Sequence, residues 1–462
     1  MPLTFSIVIN TLNRATLLAK TLDSLRWLKY RGQFEVIVVN GPSTDHSQEV
    51  IDAWLPSIRA ARCDVANLSV SRNIGICMAR GDVVAFIDDD AIPEPEWLAQ
   101  LAQAYDSPLI GAAGGLVFDQ TGYSYQYQYS TANRLANANW NLTRNADHLA
   151  FPGSFEFPYL QGTNASFRRS ALLEVGGFDE EIEYYLDETE LCCRLVDTGY
   201  LIRQLPNAYV HHKFAPSNIR NEHKITRYRY PVIKNKLYFA LKHARDYVPL
   251  ADILEDNRRF AAQQAEEVEL HVAAGRLPAS ERAELAAQLR SAWERGMMRG
   301  LSGEWEYITP EKQRAHGGEF RAFDRTIAAD APRALVLVAR RVAPAEEALA
   351  RALAEQGHIV CVISESPDFN RVDLEDGVWM HRITAQASAR PAHAIDRGVP
   401  QKAWDWSASV RTELQRLATH RRIDAVQASG AADTVALADG EWPLTSGVKA
   451  LETIMNGQAI RA

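Results

Sequence analysis

This sequence has little cysteine, no long apolar run and no excess of positive charge, and each shortage excludes something. The five cysteines (Cys63, Cys77, Cys192, Cys193 and Cys361) are an odd set without metal-site spacing. They read as free thiols of a reducing compartment, with Cys192-Cys193 as packing residues on a helix. No run approaches the ~18 apolar residues needed to span a bilayer. The opening Met-Pro-Leu-Thr-Phe-Ser has no basic region followed by an apolar stretch, so no signal peptide is expected. The sequons at Asn67, Asn141 and Asn164 then mean little. A formal net charge of -8 speaks against a nucleic-acid partner. A cytoplasmic protein is the expectation, with the inner face of a membrane as its one other address.

What is present is ordinary in bulk: 462 residues, 47% hydrophobic and 23% charged. That length predicts two or three domains. The informative stretch is Ala85-Phe-Ile-Asp-Asp-Asp-Ala-Ile-Pro93. Three apolar residues lead into three carboxylates, which reads as a buried strand delivering Asp88, Asp89 and Asp90 to a cleft. Adjacent like charges repel unless water or a cation compensates them. Hard oxygen donors suit Mg²⁺ or Mn²⁺, usually brought in with a substrate's phosphates. A solvated acidic turn is the bland alternative.

The surrounding chain favours the cleft. Phe5-Ser-Ile-Val-Ile9 and Phe34-Glu-Val-Ile-Val-Val39 read as strands, and Leu17, Leu18, Leu22 and Leu25 recur at helical spacing between them. Asn13 or Thr16 could cap that helix, and Ser43 or Asp45 the next one. This is a βαβ unit of a parallel sheet, whose ligands bind outside the carboxyl ends of the strands. The loops Asn10–Arg14 and Asn40–Asp45 join the acidic triplet at that edge. Ser69-Val-Ser-Arg-Asn-Ile-Gly75 opens another helix, where Arg72 could meet a phosphate or form a surface ion pair.

These four stretches, in this order and spacing, resemble the family 2 glycosyltransferases, inverting enzymes of the GT-A fold. The resemblance implies an α/β catalytic domain and a nucleoside-diphosphate sugar as donor. It makes Asp88 and Asp90 the ends of an Asp-x-Asp motif, with Asp90 the more direct metal ligand. Asp88 or Asp89 would face the ribose or donor sugar. Thr11, Asn13, Arg14, Asn40 and Arg72 would line the nucleotide. Asn40-Gly41-Pro42 departs from the family's usual Asp-Asp-Gly, which leaves the base open. Leu160-Gln-Gly-Thr-Asn-Ala-Ser-Phe-Arg-Arg169, followed by Val175-Gly-Gly-Phe-Asp-Glu180, continues the likeness. It places Gly162, Thr163 and Asn164 at the acceptor. Tyr184-Tyr-Leu-Asp-Glu-Thr-Glu190 stands where the family reads Glu-Asp-x-Asp. Position for position Glu188 is the base and Asp187 its neighbour, although the inverted order could swap them. An acidic first helical turn is the plain reading of the same residues. His211 or His212, with His212 preferred, would meet the metal or the diphosphate. The implied cofactor is Mn²⁺ or Mg²⁺, and the implied acceptor a saccharide or lipid-linked saccharide.

The rest is less specific. Tyr123–Tyr129 alternates aromatic and polar residues like a strand, and its rings either pack or stack on sugars. Asn133–Asn145 reads as a loop. The stretch 224–245 interleaves basic and aromatic residues, either as a helix packed on the catalytic domain or as a peripheral membrane contact. Asp252–Arg299 is helical in composition, with a break at Pro278 and Ser280. Ala334–Ala339, Glu346–Glu355 and His358–Ile363 form a second βαβ unit, and Ile423–Ser429 reads as a later strand of the same domain. It resembles, locally, the first half of a GT-B glycosyltransferase. The expected domains are therefore 1–220 (catalytic), 221–330 (helical extension) and 331–462 (small Rossmann-like α/β domain). Two other functions fit parts of this pattern. A nucleotidyltransferase would need a Gly-rich, Lys-containing loop after the first strand, and Asn10–Arg14 is not one. A degenerate sugar-nucleotide or glycan scaffold would keep the fold and lose the reaction.

Overall fold

The computed structural model describes residues 2–216, 219–325, 332–396, 398–429 and 444–446. They divide into two compact units. The first holds Met1–Leu22, Tyr30–Val117 and Tyr125–Asp324, and the second holds Asp23–Lys29, Phe118–Ser124 and everything from Arg325 onward.

The first unit is built on a seven-stranded sheet. In chain order its strands are β1 (Phe5–Thr11), β2 (Phe34–Asn40), β3 (Arg59–Arg62), β4 (Val83–Phe86), β5 (Ile110–Gly114), β6 (Ala165–Arg168) and β7 (Leu201–Gln204). They lie in the order β7-β5-β6-β4-β1-β2-β3. The central strands are buried along almost their whole length, as unbroken Val/Ile runs covered on both faces should be. β1 pairs in parallel with β2 and β4, so each return needs a crossover. Helices α1 (Ala15–Leu25), α2 (Ser47–Trp54) and α3 (Leu68–Met78) supply those crossovers. β6 runs antiparallel to β4 and β5. Thr11 is in register with Asn40, and Val8 with Phe86. The loops after β1, β2 and β4 therefore open at one edge of the sheet. Asp45 ties two of them together, accepting from the Ala15 amide at 3.0 Å and the Ser47 amide at 3.0 Å.

Helices α4 (Trp97–Ala104), α5 (Arg169–Glu174) and α6 (Asp187–Asp197) follow in the chain, then α7 (Tyr230–His243), α8 (Leu250–Ala273) and α9 (Glu281–Leu301). The last three belong to the first unit. A Cβ on Gly300 would lie 2.8 Å from the Leu241 side chain, and one on Gly296 3.2 Å from the Lys234 carbonyl, so only glycine lets α9 approach α7 this closely. α7 is almost wholly buried, and this corrects the membrane expectation for 224–245 across its helical part. Its cations are paired inside the fold: Lys236 with Asp256 at 2.9 Å, and Lys234 with Glu181 and Glu183. Arg229, just before the helix, meets Glu267 at 2.9 Å. The partners lie far away in sequence, so a local reading of charge leaves them out.

After α9 the chain runs back across the unit as a strap. Ile308 donates to the Gly176 carbonyl at 2.9 Å and Arg59 to the Gly317 carbonyl at 3.3 Å. Phe323 then donates its amide to the Phe34 carbonyl at 2.7 Å and stacks on Phe34 and Trp54, with centroids 5.5 and 6.0 Å apart.

The second unit has its own six-stranded sheet. Its strands, in spatial order, are Arg371–Glu375, Val378–Ile383, Ile359–Glu365, Ala334–Val338, Ala425–Ala428 and Leu444–Ser446. All neighbours pair in parallel except the first two, which form a hairpin. Its two leading strands and the helix Pro344–Glu355 lie close to their expected places. Among the described residues no helix is long and apolar enough to cross a membrane.

Candidate active site

The loops at the carboxyl edge of the first sheet surround a cavity of about 470 Å³. Thr11, Arg14, Arg72, Asp88, Asp89, Gly162, Thr163, Asp187, Glu188 and His212 all line it.

Each carboxylate of the triplet has a different environment. Asp88 is the open one, with 37% of its side chain exposed. Asp89 is buried and accepts from the Thr11 hydroxyl at 2.7 Å and from Arg14 at 2.9 Å. Burial pushes Asp89 up to about 6; Arg14 pulls against that and Asp90 adds to it. Burial also works against a charge on Asp90. There His212, Arg14 and the Ala215 amide, which donates at 2.7 Å, outweigh it and hold Asp90 well below the usual range.

His212 is brought to the triplet by the strand Val210–His212, which runs antiparallel to Ala91–Pro93 and sets His212 opposite Ala91. Its Nε2 is 3.2 Å from Asp90 Oδ1 and 3.5 Å from Asp88 Oδ2. One ligand atom from each of the three residues falls within 4.8 Å of the others. Apart from the approach of His212 Nε2, Asp90 Oδ1 is buried without a hydrogen-bond partner among the described residues, which a cation would relieve. His212 Nδ1 is 3.0 Å from Gln126 Oε1. With a cation bound, donation there would free Nε2 to ligate it in place of its contact with Asp90. Two carboxylates and an imidazole fit Mn²⁺ or Mg²⁺. A second group, Cys193, Asp197 and His243, is also close enough to be considered. There His243 faces Glu190 at 3.2 Å and Asp197 is paired with Arg134, so two of the three donors are already engaged.

Across the cavity, α6 opens with Asp187 and Glu188. Arg72 forms a buried pair with Asp187, and its Nη1 is 3.6 Å from Glu188 Oε2. The guanidinium lies over the rings of Phe178 and Phe86, with centroids 5.2 and 5.7 Å away. Arg72 thus borders the cavity with its charge already shared between two acids. The Gly162 amide donates to Glu188 Oε1 at 3.1 Å. A Cβ on Gly162 would lie 2.4 Å from Arg72 Nη2 and 3.2 Å from Glu188 Oε1, so a larger residue would part them. Burial and the neighbouring Asp187 raise the Glu188 pKa well above its ordinary value, against the pull of Arg72. The side chain still shows 18% of its surface to the cavity. The Thr163 hydroxyl faces the same space, buried and without a hydrogen-bond partner among the described residues.

Besides the buried Asp90, three of the expected site residues, all asparagines, do not line the cavity. Asn13 Oδ1 accepts from the Thr44 amide at 2.7 Å, and Asn40 is bonded to Gln48 and Ser43. Asn164 is fully buried and bonded to Trp97 and to the carbonyls of Leu116 and Ala208. These amides shape the loops, while Gly41, Pro42 and Leu12 form the lining. His211 pairs with Glu94 at 2.8 Å, away from the triplet. Tyr127, Trp140, Tyr159, Phe214 and Arg220 line the cavity and were not singled out from sequence. For Tyr127 the signal was the aromatic alternation. Trp140 lies in the stretch Asn133–Asn145 that reads as a loop, part of which is the strand Ala138–Leu142.

An acidic strand end facing a helix-borne acid pair, on a mixed α/β sheet, is the arrangement that the resemblance to GT-A transferases leads one to expect. Residues 6–176 match the model described as Glycosyl transferase family 2. A chondroitin synthase from Escherichia coli is 28% identical over 239 residues, 46% of this chain and 35% of its own length. A glucosyl-dolichyl phosphate glucuronosyltransferase from Haloferax volcanii is 29% identical over 222 residues, 45% of this chain and 68% of its own. A pre-mycofactocin glycosyltransferase from Mycobacterium tuberculosis is 27% identical over 224 residues, 45% of this chain and 42% of its own. The match thus spans between a third and two thirds of these relatives. Among solved structures, the mannosyltransferase PcManGT from Pyrobaculum calidifontis, in complex with GDP-Man and Mn²⁺, covers 63% of this chain and 86% of its own at 19% identity and a TM-score of 0.41.

Proposed function

We propose that this protein is a metal-dependent, inverting glycosyltransferase that moves a sugar from a nucleoside-diphosphate donor to a hydroxyl of a saccharide or lipid-linked saccharide. One observation carries the reading: Asp88 and His212, which cluster with the buried Asp90, line the same cavity as Glu188. Relatives named as a chondroitin synthase and a glucosyl-dolichyl phosphate glucuronosyltransferase support that range of acceptors.

Asp88, Asp90 and His212 would hold Mn²⁺ or Mg²⁺, which when bound offsets the negative charge that gathers on the departing diphosphate. Arg14 fixes Asp89 and Asp90, and the Thr11 hydroxyl orients Asp89. Glu188 takes the proton of the acceptor hydroxyl as that oxygen attacks the anomeric carbon. A carboxylate with a raised proton affinity is a better match for this step near neutral pH than an ordinary one. Arg72 and the Gly162 amide hold that carboxylate in place. Attack from the face opposite the diphosphate inverts the anomeric centre.

The test is a thermal-shift screen of UDP, GDP and their sugars with and without Mn²⁺, on the wild type and on Asp90→Ala. A stabilisation that needs both the ion and Asp90 is expected, because a ligand that binds the folded state raises its stability. A nucleotide shift that persists in Asp90→Ala would sink the assignment of the metal. The absence of any shift would sink the transferase reading.

A further inference from the structure

Helix α7 touches the segment Asp179–Glu190, which carries the acid pair, along most of its length. Lys234 reaches the Glu181 carbonyl and the Glu183 carboxylate. Tyr238 donates to Asp179 at 2.6 Å, and His243 lies 3.2 Å from Glu190. These contacts hold the ends of the segment. Asn235, with none of its surface exposed, holds the middle. Its Nδ2 donates to the Tyr184 carbonyl at 2.5 Å and to the Tyr185 carbonyl at 3.2 Å.

Those two carbonyls belong to the peptide planes on either side of the Tyr185 Cα. A single donor bridging them restrains both dihedrals of that residue. Tyr185 has φ +67° and Leu186 φ +72°, and neither is glycine. L side chains avoid this region, and a residue stays there only where its surroundings over-determine it. Asp187 and Glu188 come next. Were Tyr185 to relax to an extended conformation, the chain direction into α6 would change and Glu188 would leave the Gly162 amide and Arg72.

We propose that Asn235, on a helix outside the family-matched region, is a positioning residue for the transfer: it fixes the left-handed backbone at Tyr185 and thereby places Glu188. The proposal rests on the transferase reading. The test uses the full chain and first finds a donor, by release of UDP or GDP from a panel of nucleotide sugars with Mn²⁺. Asn235→Leu keeps the branched shape and removes the donor atoms. It is expected to lower kcat by about 10–100-fold, the scale of a misplaced reacting group. The donor KM should stay within about twofold, since the donor side is untouched. Glycine takes a positive φ without cost, so in a Tyr185→Gly background the same change should cost less than about threefold.

Full kcat in Asn235→Leu overturns the proposal, and so does an equal loss in both backgrounds. Should Asn235→Leu fold poorly, amide hydrogen exchange over 184–188 in Asn235→Ser carries the test. Exchange there should rise while β1 and β4 stay protected, and an unchanged pattern overturns the proposal. A wild type that turns over no donor overturns the transferase reading itself, and that outcome differs from an active wild type beside an equally active variant.

Discussion

Glu188 and Glu190 stand two residues apart on α6 and face different regions of the molecule. Glu190 looks into the seam with α7. It takes Arg194 at 2.6 Å and His243 at 3.2 Å, and these partners overcome its burial and bring it down to about 2. Glu188 looks into the cavity, where one shared arginine and one amide oppose burial and a neighbouring acid, and its pKa moves up. The same side chain on the same helical turn thus has its proton affinity lowered in one region and raised in the other. The difference lies in how many cations surround it. At Glu190 two cations match the acid; at Glu188 the matching is incomplete.

Removing the matched acid should have the largest effect. Glu190→Gln leaves Arg194 and His243 buried without their counter-charge. Losing one member of a buried pair typically costs about 3–5 kcal/mol. Denaturant unfolding should read a loss of that size, and a change under about 1 kcal/mol would mean the seam relaxes around the amide. Removing the unmatched acid should act on the reaction and spare the fold. Glu188→Gln is expected to lower kcat at least ~10²-fold, the usual scale of a general base. Its unfolding midpoint and nucleotide binding should stay near wild type. Retained turnover would transfer the role to Asp187, and Asp187→Asn would then carry the loss.

The smallest effect sharpens the contrast through pH. Burial opposes a charge on His243, yet Cys193 and Glu190 outweigh it and raise the imidazole from its ordinary 6.5 to about 10. A raised folded-state value gives stability that is complete below about 6.5 and is lost as pH climbs through 10. Glu190, depressed from 4.5 to about 2, gives stability that is complete above 4.5 and is lost as pH falls towards 2. The seam should therefore be strongest between about pH 4.5 and 6.5. His243→Gln should flatten the decline in unfolding free energy between pH 7 and 10. An unaltered slope would place the alkaline loss elsewhere.

Much of the fold was legible because β1, β2 and β4 carry Val- and Ile-rich apolar runs that end in polar loops, a pattern with few alternatives. The acidic triplet and the acid pair were legible for the same reason: carboxylates directly after a buried strand or at a helix start have few places to go. Asparagine carries no such constraint. Asn13, Asn40 and Asn164 sit in the right loops, but an amide satisfies buried backbone as readily as it meets a ligand. The burial of α7 was hidden because Lys234 and Lys236 find their anions on other elements. Asn235 was hidden too, because its task is defined by the dihedrals of a residue fifty positions earlier.

The strap that ends at Phe323 has a consequence for synthesis. Phe34, on the second strand to leave the ribosome, is covered by an aromatic roughly 300 residues downstream, which at about 5–20 residues per second arrives some 15–60 s later. For that interval the early sheet carries an uncovered apolar edge, and so does any product terminated near residue 220. A catalytic fragment cut at that point would keep the acidic triplet and the acid pair, yet lack the helix beside the pair and the ring over β2. The shortest piece of this chain worth expressing for the chemistry therefore reaches past Phe323.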